Sequence, residues 1–486
     1  MRKYYTIIAT GLALLLCTSC GKMLDEIAPK GSITTDKLKD SDIALLNNGV
    51  MHQFEAIVSN LWFEGDYLAE NYASGPGFTW SDTHAETQSA SSSTALSRWQ
   101  YCYNKLQYAN LLLDAAKGND SPAAKEAMAV GYYFRAYVYY NLVTRYGGVP
   151  IIETPTNLDA SVTRADEAAV WKFIEDDLTR ADESLTAAGV TFRSFAYVSP
   201  ESVALLRARV NLWQGRYTEA AAAADKVLTS TAGFSLSNTA EDWAKMFVNG
   251  TASKELVFAP INIRSTDYIR LYERVNDTDG SFNYSPTSKL YEGLFADNAL
   301  HTGDIRAKAT FGGESTRVIK FPNGQAGQFV VNPGPSESPL VVFRLADAYF
   351  LKAEAEWLGG SASTALATLT PLMEARYDNV TLPASMTDDE FEAFLLDELQ
   401  REFYAEGRRW FDIKLLAVRR HGYVSFLDYN KGDFTTWIKT VYPGNDAYEI
   451  DGWNDRHQLM YWPIPQVERD KSYGALTQNP GYEGYK

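Results

Sequence analysis

Residues 71–88, NYASGPGFTWSDTHAETQ, place aromatic side chains among glycine, serine and other small polar residues. This composition predicts a loop, and aromatic rings in a polar loop have no obvious core to enter. Flat rings can stack on the apolar faces of sugar rings, while amide and carboxylate groups beside them hydrogen-bond hydroxyls. The candidate binding residues of this segment are Asn71, Tyr72, Phe78, Trp80, Asp82 and Gln88.

The acids, histidines and cysteines form no recognisable catalytic or metal-binding pattern. Glycoside hydrolysis needs two carboxylates that flank a cleft, whereas the acids of 388–406, DDEFEAFLLDELQREFYAE, are spaced around a helix as on a solvated face. The five histidines lack the H-E-x-x-H spacing of a zinc site. Cys102 lies in an aromatic helical context that favours a buried thiol over a nucleophile. We therefore expect no catalytic residues, no metal site and no cofactor, and the sequence leaves open an adventitious Ca²⁺ held by loop carboxylates.

The N-terminus has the order of an export signal. Two basic residues precede an apolar run at 4–17, which is shorter than the roughly 20 residues of a transmembrane helix. The small residues before Cys20 resemble the end of a bacterial lipoprotein signal, although Cys17 stands where such signals usually carry leucine. This resemblance predicts removal of residues 1–19 and a lipid on Cys20 that anchors the chain to a membrane. An ordinary signal peptide or a buried helix is the alternative.

The chain is acidic and rich in aromatic residues. It carries 45 Lys+Arg and 61 Asp+Glu, and its net charge of −16 becomes −18 without residues 1–19, which hold Arg2 and Lys3. This charge argues against nucleic acid as a partner, because phosphates are bound by lysine and arginine. Aromatic residues make up 13% of the chain, with 30 Tyr and 11 Trp. This content suits a surface that stacks on sugars or grips peptides, and equally a tyrosine-rich core.

Apolar residues recur three and four positions apart beyond residue 35, which predicts a mostly α-helical chain. The predicted helices are 36–58, 97–117, 122–146, 166–187, 200–214, 216–229, 343–358, 362–377, 388–405 and 409–418. Stretches rich in Gly, Ser, Asn and Pro interrupt them near 71–96, 230–342 and 419–465. We expect a signal at 1–19, a lipidated tether at 20–35, and one helical domain at 36–486 with these stretches as insertions.

Two segments predict pairs of helices joined at glycine. SVALLRARVNLWQGRYTEAAAAADKVL turns at Gly215, and RLADAYFLKAEAEWLGGSASTALATL turns at Gly359-Gly360. Alanines in the second helix of each pair permit close approach of its neighbour. The plan resembles the tetratricopeptide repeat, whose helix pairs stack to bury a shared face. Because long insertions interrupt the units, we expect an irregular tetratricopeptide-like scaffold.

Four further motifs combine into one resemblance. They are AYVYYNLVTRYGGVPII (136–152), RLADAYFLKAEAE (344–356), EFYAEGRRWFDIKLL (402–416) and YWPIPQVERDKSYGALTQNPGY (461–482). Together with the lipoprotein start, their order and spacing resemble the SusD/RagB family over essentially the whole mature chain. Any one of these motifs alone would be weak.

The resemblance implies a SusD-like helical fold and a non-catalytic lipoprotein of the outer membrane of Bacteroidota. It implies a position on the cell surface over a SusC-like, TonB-dependent barrel transporter, to which the protein delivers bound glycans or oligosaccharides. Proteins of the RagB branch capture peptides, so a peptide ligand stays open. A lipid-anchored glycoside hydrolase is the less favoured alternative, and the sequence does not identify the nutrient.

The resemblance also implies binding residues in the large central insertion. Glycan sites of the family often combine this insertion with the loop that corresponds to 71–88, which precedes the helix beginning near Ser97. Tyr291 has helical spacing with Leu294 and Phe295, which favours packing in the core. We hypothesise that Trp80 and Tyr284 form part of one aromatic platform. The candidate residues within 266–293 are Tyr268, Tyr272 and Tyr284.

The motifs that carry the resemblance also have a structural interpretation. Gly407 of EGRRWFDIK is expected to separate two helices. The prolines of WPIP fix an extended segment, and LTQNPGY makes a turn at 479–481. Arg408 or Arg409 is expected to pair with a nearby acid: Glu402, Glu406 or Asp412.

Overall fold

The structure is a computed structural model that describes twelve ranges of the chain. They are 38–61, 64–69, 71–74, 89–155, 162–248, 253–260, 284–286, 293–312, 317–321, 339–422, 461–480 and 482. The predictions for the signal at 1–19 and the tether at 20–35 lie outside these residues. Among the described residues, no helix combines the length and apolar character that crossing a bilayer requires.

The mostly helical fold predicted from the sequence is confirmed. Each of the predicted helices is present, with its ends within four residues of the predicted positions. The helices are α1 (Asp40–Leu61), α2 (Glu64–Leu68), α3 (Ser93–Ala116), α4 (Pro122–Tyr146), α5 (Glu167–Ala188), α6 (Pro200–Trp213), α7 (Tyr217–Leu228), α8 (Ala240–Val248), α9 (Ile305–Thr310), α10 (Leu345–Leu358), α11 (Ala362–Arg376), α12 (Asp388–Phe403), α13 (Arg409–Arg419) and α14 (Gln466–Lys471).

The ends of the helices follow from local sequence. Ser121 caps α4 by accepting a hydrogen bond from the Ala124 amide at 3.1 Å, and Pro122 occupies a first-turn position that needs no helical N–H. Gly147 ends the same helix with φ 68°, and Gly215 turns the chain between α6 and α7 with φ 73°. Glycine adopts this backbone conformation without strain, so the predicted turn is confirmed.

Neighbouring helices pack in pairs over shared apolar faces. Helix α4 packs against α3 and α5, α6 packs against α7, and α10 packs against both α7 and α11. Ala220, Ala223 and Ala224 of α7 are buried at these contacts. Because their side chains are single methyl groups, the backbones of the neighbouring helices approach closely, as the alanine pattern predicts.

Short antiparallel strands and the helices α8 and α9 occupy parts of the predicted insertions. Helix α8 lies within 230–342. It forms there because Trp243, Met246 and Phe247 share one apolar face, which is buried. The composition of this stretch did not predict that helix. The paired strands are β1 (Tyr72–Ser74) with β3 (Tyr284–Pro286), β2 (Leu256–Phe258) with β7 (Phe343–Arg344), β4 (His301–Asp304) with β8 (Tyr377–Val380), and β5 (Phe311–Gly312) with β6 (Arg317–Val318).

A buried network of charges holds the second half of the chain together. The Glu402 carboxylate on α12 accepts hydrogen bonds from Arg306 of α9 at 2.9 Å, from Arg376 of α11 at 3.0 Å, and from Arg344 of β7. Burial acts to raise the pKa of Glu402, but the three guanidinium groups hold that pKa well below its usual range. Removing one partner from such a network leaves an uncompensated buried charge. The network therefore fixes α12 against α9, β7 and α11.

The EGRRWFDIK motif has the structural role predicted for it. Gly407 separates α12 from α13 with φ 74°. Arg408 donates to Asp412 Oδ1 at 2.7 Å, one of the predicted pairings. Arg409 donates to the carbonyl oxygen of Leu396 at 2.6 Å. The motif thus joins two helices through a turn and a charge pair.

Candidate functional site

The pairing of β1 with β3 brings together the two segments in which the sequence places candidate binding residues. The strands are antiparallel, with Tyr72 opposite Pro286, Ala73 opposite Ser285 and Ser74 opposite Tyr284. Residues 71–88 begin with one strand, and 266–293 contain the other. The Trp80–Tyr284 platform hypothesis requires such proximity, which the sequence alone did not specify.

A cluster of polar groups, here called the loop anchor, holds the start of β1. It consists of Asp66, Asn71, Gln400, Tyr404 and the backbone amide of Gly407. Asn71 donates from Nδ2 to Asp66 Oδ1 at 2.6 Å and accepts at Oδ1 from Gln400 Nε2 at 2.7 Å. The Tyr404 hydroxyl donates to the Asn71 carbonyl oxygen at 3.1 Å, and the Gly407 amide donates to Asp66. Asn71 is fully buried, so the first segment leaves the scaffold from a fixed point.

The electrostatics of the loop anchor centre on Asp66. Burial raises the pKa of Asp66 to about 7, even though the Gly407 amide, the Asn71 amide and Lys320 act to lower it. Both hydrogen bonds that the carboxylate accepts stabilise its charged form. Because the pKa of Asp66 is about 7, the charge of the loop anchor changes near neutral pH.

The same helix also holds the end of the second segment. Arg401, the neighbour of Gln400 on α12, donates from Nε to the carbonyl oxygen of Leu294 at 2.5 Å. Leu294 and Phe295 are both buried, and Tyr291, for which the sequence predicts core packing, lies outside the described residues. Successive residues of one helix thus fix the beginning of the first segment and the end of the second.

The C-terminal part of the chain holds the end of the first segment. The Gln466 amide donates to the Ala90 carbonyl oxygen at 2.8 Å, and Gln100 Nε2 donates to Glu468 at 2.7 Å. Asn479 of the predicted turn donates from Nδ2 to the Trp462 carbonyl oxygen at 2.7 Å. The first segment therefore leaves from and returns to ordered parts of the scaffold.

The predicted site residues fall into three groups. Asn71 is buried, and its side-chain oxygen and nitrogen both form hydrogen bonds within the chain. This arrangement favours a role in positioning β1 over the expected hydrogen bond to a ligand hydroxyl. Tyr72 and Tyr284 have their backbones in β1 and β3. The remaining predicted residues lie outside the described ranges: Cys20, Phe78, Trp80, Asp82, Gln88, Tyr268 and Tyr272.

Sequence reasoning missed the other members of the loop anchor. Asp66, Gln400 and Tyr404 lie in helical or turn segments whose acids and aromatic residues suit a solvated face or a core. The FYAEG part of the shared motif was the available signal, since Tyr404 and Gly407 belong to it. No group of three or more His, Cys, Asp or Glu side chains in the described ranges has the arrangement of a metal site.

Two family models match separate parts of the chain. The model described as the SusD family matches residues 267–482. The model described as starch-binding associating with outer membrane matches residues 33–205. The matched regions include both β1 and β3, so they extend over the loop anchor and the paired segments.

Relatives and solved structures agree with these matches. The chain is 24% identical to the SusD-like protein P38 of Formosa agariphila over 472 residues, covering 85% of this chain and 92% of that protein. A SusD superfamily structure from Bacteroides thetaiotaomicron is similar with a TM-score of 0.70 and 19% identity, covering 91% of this chain and all of that one. A laminarin-binding SusD-like protein is similar with a TM-score of 0.66 and 20% identity, covering 91% and 99% of the two chains.

The helical scaffold with its paired candidate binding segments is therefore a SusD-type fold. The chain belongs to the SusD/RagB family.

Proposed function

We propose that this protein is a non-catalytic lipoprotein of the outer membrane that captures glycans at the cell surface. The main observation behind the proposal is the β1–β3 pairing, which joins the two aromatic-rich segments. Hydrogen bonds from Gln400 and Arg401 hold the beginning of the first segment and the residue that follows the second. Rings held on a rigid scaffold stack on sugar faces at a small entropic cost, because little ordering is needed on binding. The laminarin-binding relative supports a glycan ligand.

The captured glycan is then delivered for uptake into the cell. The lipid on Cys20 holds the protein at the membrane, and the bound oligosaccharide passes to a SusC-like, TonB-dependent barrel transporter. The family model described as associating with outer membrane supports this location. The test of anchoring is the Cys20→Ala variant, which is expected to leave the outer-membrane fraction when expressed without the transporter.

The competing function is hydrolysis. A glycosidase would need a carboxylic acid and a second carboxylate facing each other across the ligand. Among the described residues, Glu402 and Glu398 are buried and ion-paired with arginines, an arrangement that favours a structural role over acid catalysis. The carboxyl group of Asp66 accepts hydrogen bonds from the loop anchor. These arrangements support binding without turnover.

A binding screen of the purified protein tests the proposal. Affinity gels and calorimetry would compare neutral glycans such as laminarin and starch with charged glycans and mixed peptides. We expect saturable binding of a glycan with no new reducing ends over hours of incubation. Saturable binding of peptides alone would instead assign the protein to RagB-like capture, and release of reducing ends would identify a hydrolase.

A further inference from the structure

A second site is suggested by a cleft between the helices. It is lined by α4, α6, α10 and α13 and by the turn that precedes α13. Tyr137, Arg209 and Phe411 are half-buried at the cleft, which places part of its lining within reach of solvent.

Arg408 is the centre of the polar lining. It donates to Asp412 Oδ1 at 2.7 Å, to Asp347 Oδ1 at 2.8 Å and to Glu354 Oε2 at 3.4 Å. Arg209 donates to the same Asp347 oxygen at 2.8 Å. The lining carries three guanidinium groups, those of Arg145, Arg209 and Arg408, and four carboxyl groups. The carboxyl groups are those of Asp347, Glu354, Glu406 and Asp412, so the lining has one excess negative charge when all of them are ionised.

Two carboxylate oxygens in this lining have no partner. Oε1 of Glu354 and Oδ2 of Asp412 are buried, and neither has a hydrogen bond to any described group. The Glu354 side chain is 0% exposed and that of Asp412 is 7% exposed. An ionised carboxylate offers about four acceptor positions, so burying it with so few bonds costs folding free energy. When Glu354 is ionised, both unpaired atoms are acceptors, so an occupant that replaces its proton must donate hydrogen bonds.

We propose that this cleft binds a primary ammonium group. An ammonium carries three N–H donors and the positive charge that the carboxylates lack. Tyr140, Trp213 and Phe411 line the same cleft, and aromatic faces attract cations. A metal ion is disfavoured because no group of three or more suitable side chains occurs in the described ranges. Amino sugars and the amino termini of peptides both present this chemistry.

Protonation supports this assignment. Burial raises the pKa of Glu354 to about 8, with Asp412 and Asp347 adding to the rise while Arg408 and Arg209 oppose it. Without a cation the carboxyl group therefore holds a proton at neutral pH. A bound ammonium favours the ionised form, so binding should release that proton.

Calorimetry on the full chain tests the site with paired probes. Glucosamine is compared with N-acetylglucosamine, and glycinamide with N-acetylglycinamide, because acetylation replaces the ammonium with a neutral amide. We expect at least one ammonium probe to bind ten times more tightly than its acetylated partner. Its heat at pH 7 should differ between phosphate and MOPS buffers, because the two buffers take up the released proton with different heats and neither contains a primary ammonium. Preference for glucosamine would identify an amino sugar, and preference for glycinamide would identify a peptide terminus. Equal binding within both pairs would overturn the proposal.

Variants locate the site. Glu354→Gln and Asp412→Asn should each weaken ammonium binding at least tenfold, and Glu354→Gln should also abolish the proton release. Glu356→Gln is the matched control, because Glu356 lies on the same helix but accepts from Thr368 at 2.6 Å and does not line the cleft. Unchanged affinity in both folded cleft variants would overturn the proposal. Neutral glycans test capture by the paired segments and the ammonium probes test this cleft, so the two proposals fail independently.

Discussion

Ser74 and Tyr284 lie directly opposite each other in the antiparallel pair of β1 and β3. They are far apart in the sequence, and each belongs to a segment rich in candidate binding residues. Gln400 and Arg401 hold the flanks of this pair from successive positions of α12. The scaffold therefore brings two distant parts of the chain to one place, as a shared binding surface requires.

A cross-link would test this pairing directly. Opposite residues of an antiparallel pair have Cα atoms about 4.5–5.5 Å apart, within the range that a disulfide spans. The double variant Ser74→Cys, Tyr284→Cys should therefore form an intramolecular disulfide on mild oxidation, detected by mass spectrometry and by thiol titration. The single variants are the controls, and a double variant that keeps both thiols would contradict the register.

The loop anchor should affect ligand affinity as well as stability. Tyr404→Phe removes the donor to the Asn71 carbonyl oxygen and leaves that buried acceptor unpaired, at a cost of about 1–3 kcal/mol. Because β1 would then be less firmly positioned, we expect roughly fivefold weaker glycan binding by calorimetry. Tyr103→Phe, which removes a 2.7 Å bond to the Pro150 carbonyl oxygen, is the control. Equal affinity losses in both variants would argue against positioning by the loop anchor.

The loop anchor also predicts a pH dependence. The pKa of Asp66 is about 7 in the folded protein and about 4 in an unfolded chain. The folded state therefore binds the proton more tightly, and the free energy of unfolding should fall as pH rises from 4 to 7, by at most about 1.4 kcal/mol per pH unit from this group.

Asp66→Asn should remove the contribution of Asp66, so the free energy of unfolding of this variant should fall less steeply as pH rises from 4 to 7. Denaturant unfolding at several pH values would measure the slopes for both proteins. The exposed Asp114→Asn variant controls for the loss of one charge. A slope in Asp66→Asn as steep as in the unaltered protein would show that Asp66 is not the group responsible.

The contact between α2 and the turn before α13 should tolerate no side chain at Gly65. A Cβ at this position would lie 1.8 Å from the carbonyl oxygen of Gly407. Gly65→Ala should therefore lower the free energy of unfolding by about 1–3 kcal/mol, measured by denaturant titration.

Gly49→Ala provides a matched control on α1, where a Cβ meets nothing within 4 Å. In a helix interior this change should raise stability by about 0.5–1 kcal/mol. Similar effects at both glycines would contradict the close packing at Gly65.

The sequence predicts the helices well because their signals are local. Helix α4 is predicted to the residue, since Ser121, Pro122 and Gly147 mark its two ends. Helix α8 was missed because its short amphipathic pattern lies in a stretch otherwise rich in turn-forming residues. Local signals therefore serve well for long helices and poorly for short elements inside irregular segments.

The candidate site was predicted only in outline. Two aromatic segments were identified, one by composition and one by family resemblance. Their meeting point was not predicted, because β1 and β3 have three residues each and carry no readable periodicity. The bonds of Asn71 to Gln400 and Tyr404 span more than three hundred residues, so no local pattern could indicate them.

The most direct test of glycan capture by the paired segments is the affinity of Trp80→Ala for the glycan that the unaltered protein binds. Tyr473→Ala is the control, because Tyr473 is 99% exposed and follows α14. We predict at least about tenfold weaker binding for Trp80→Ala, or about 1.4 kcal/mol, and unchanged binding for the control. Unchanged affinity in a folded Trp80→Ala, Tyr284→Ala double variant would contradict the account.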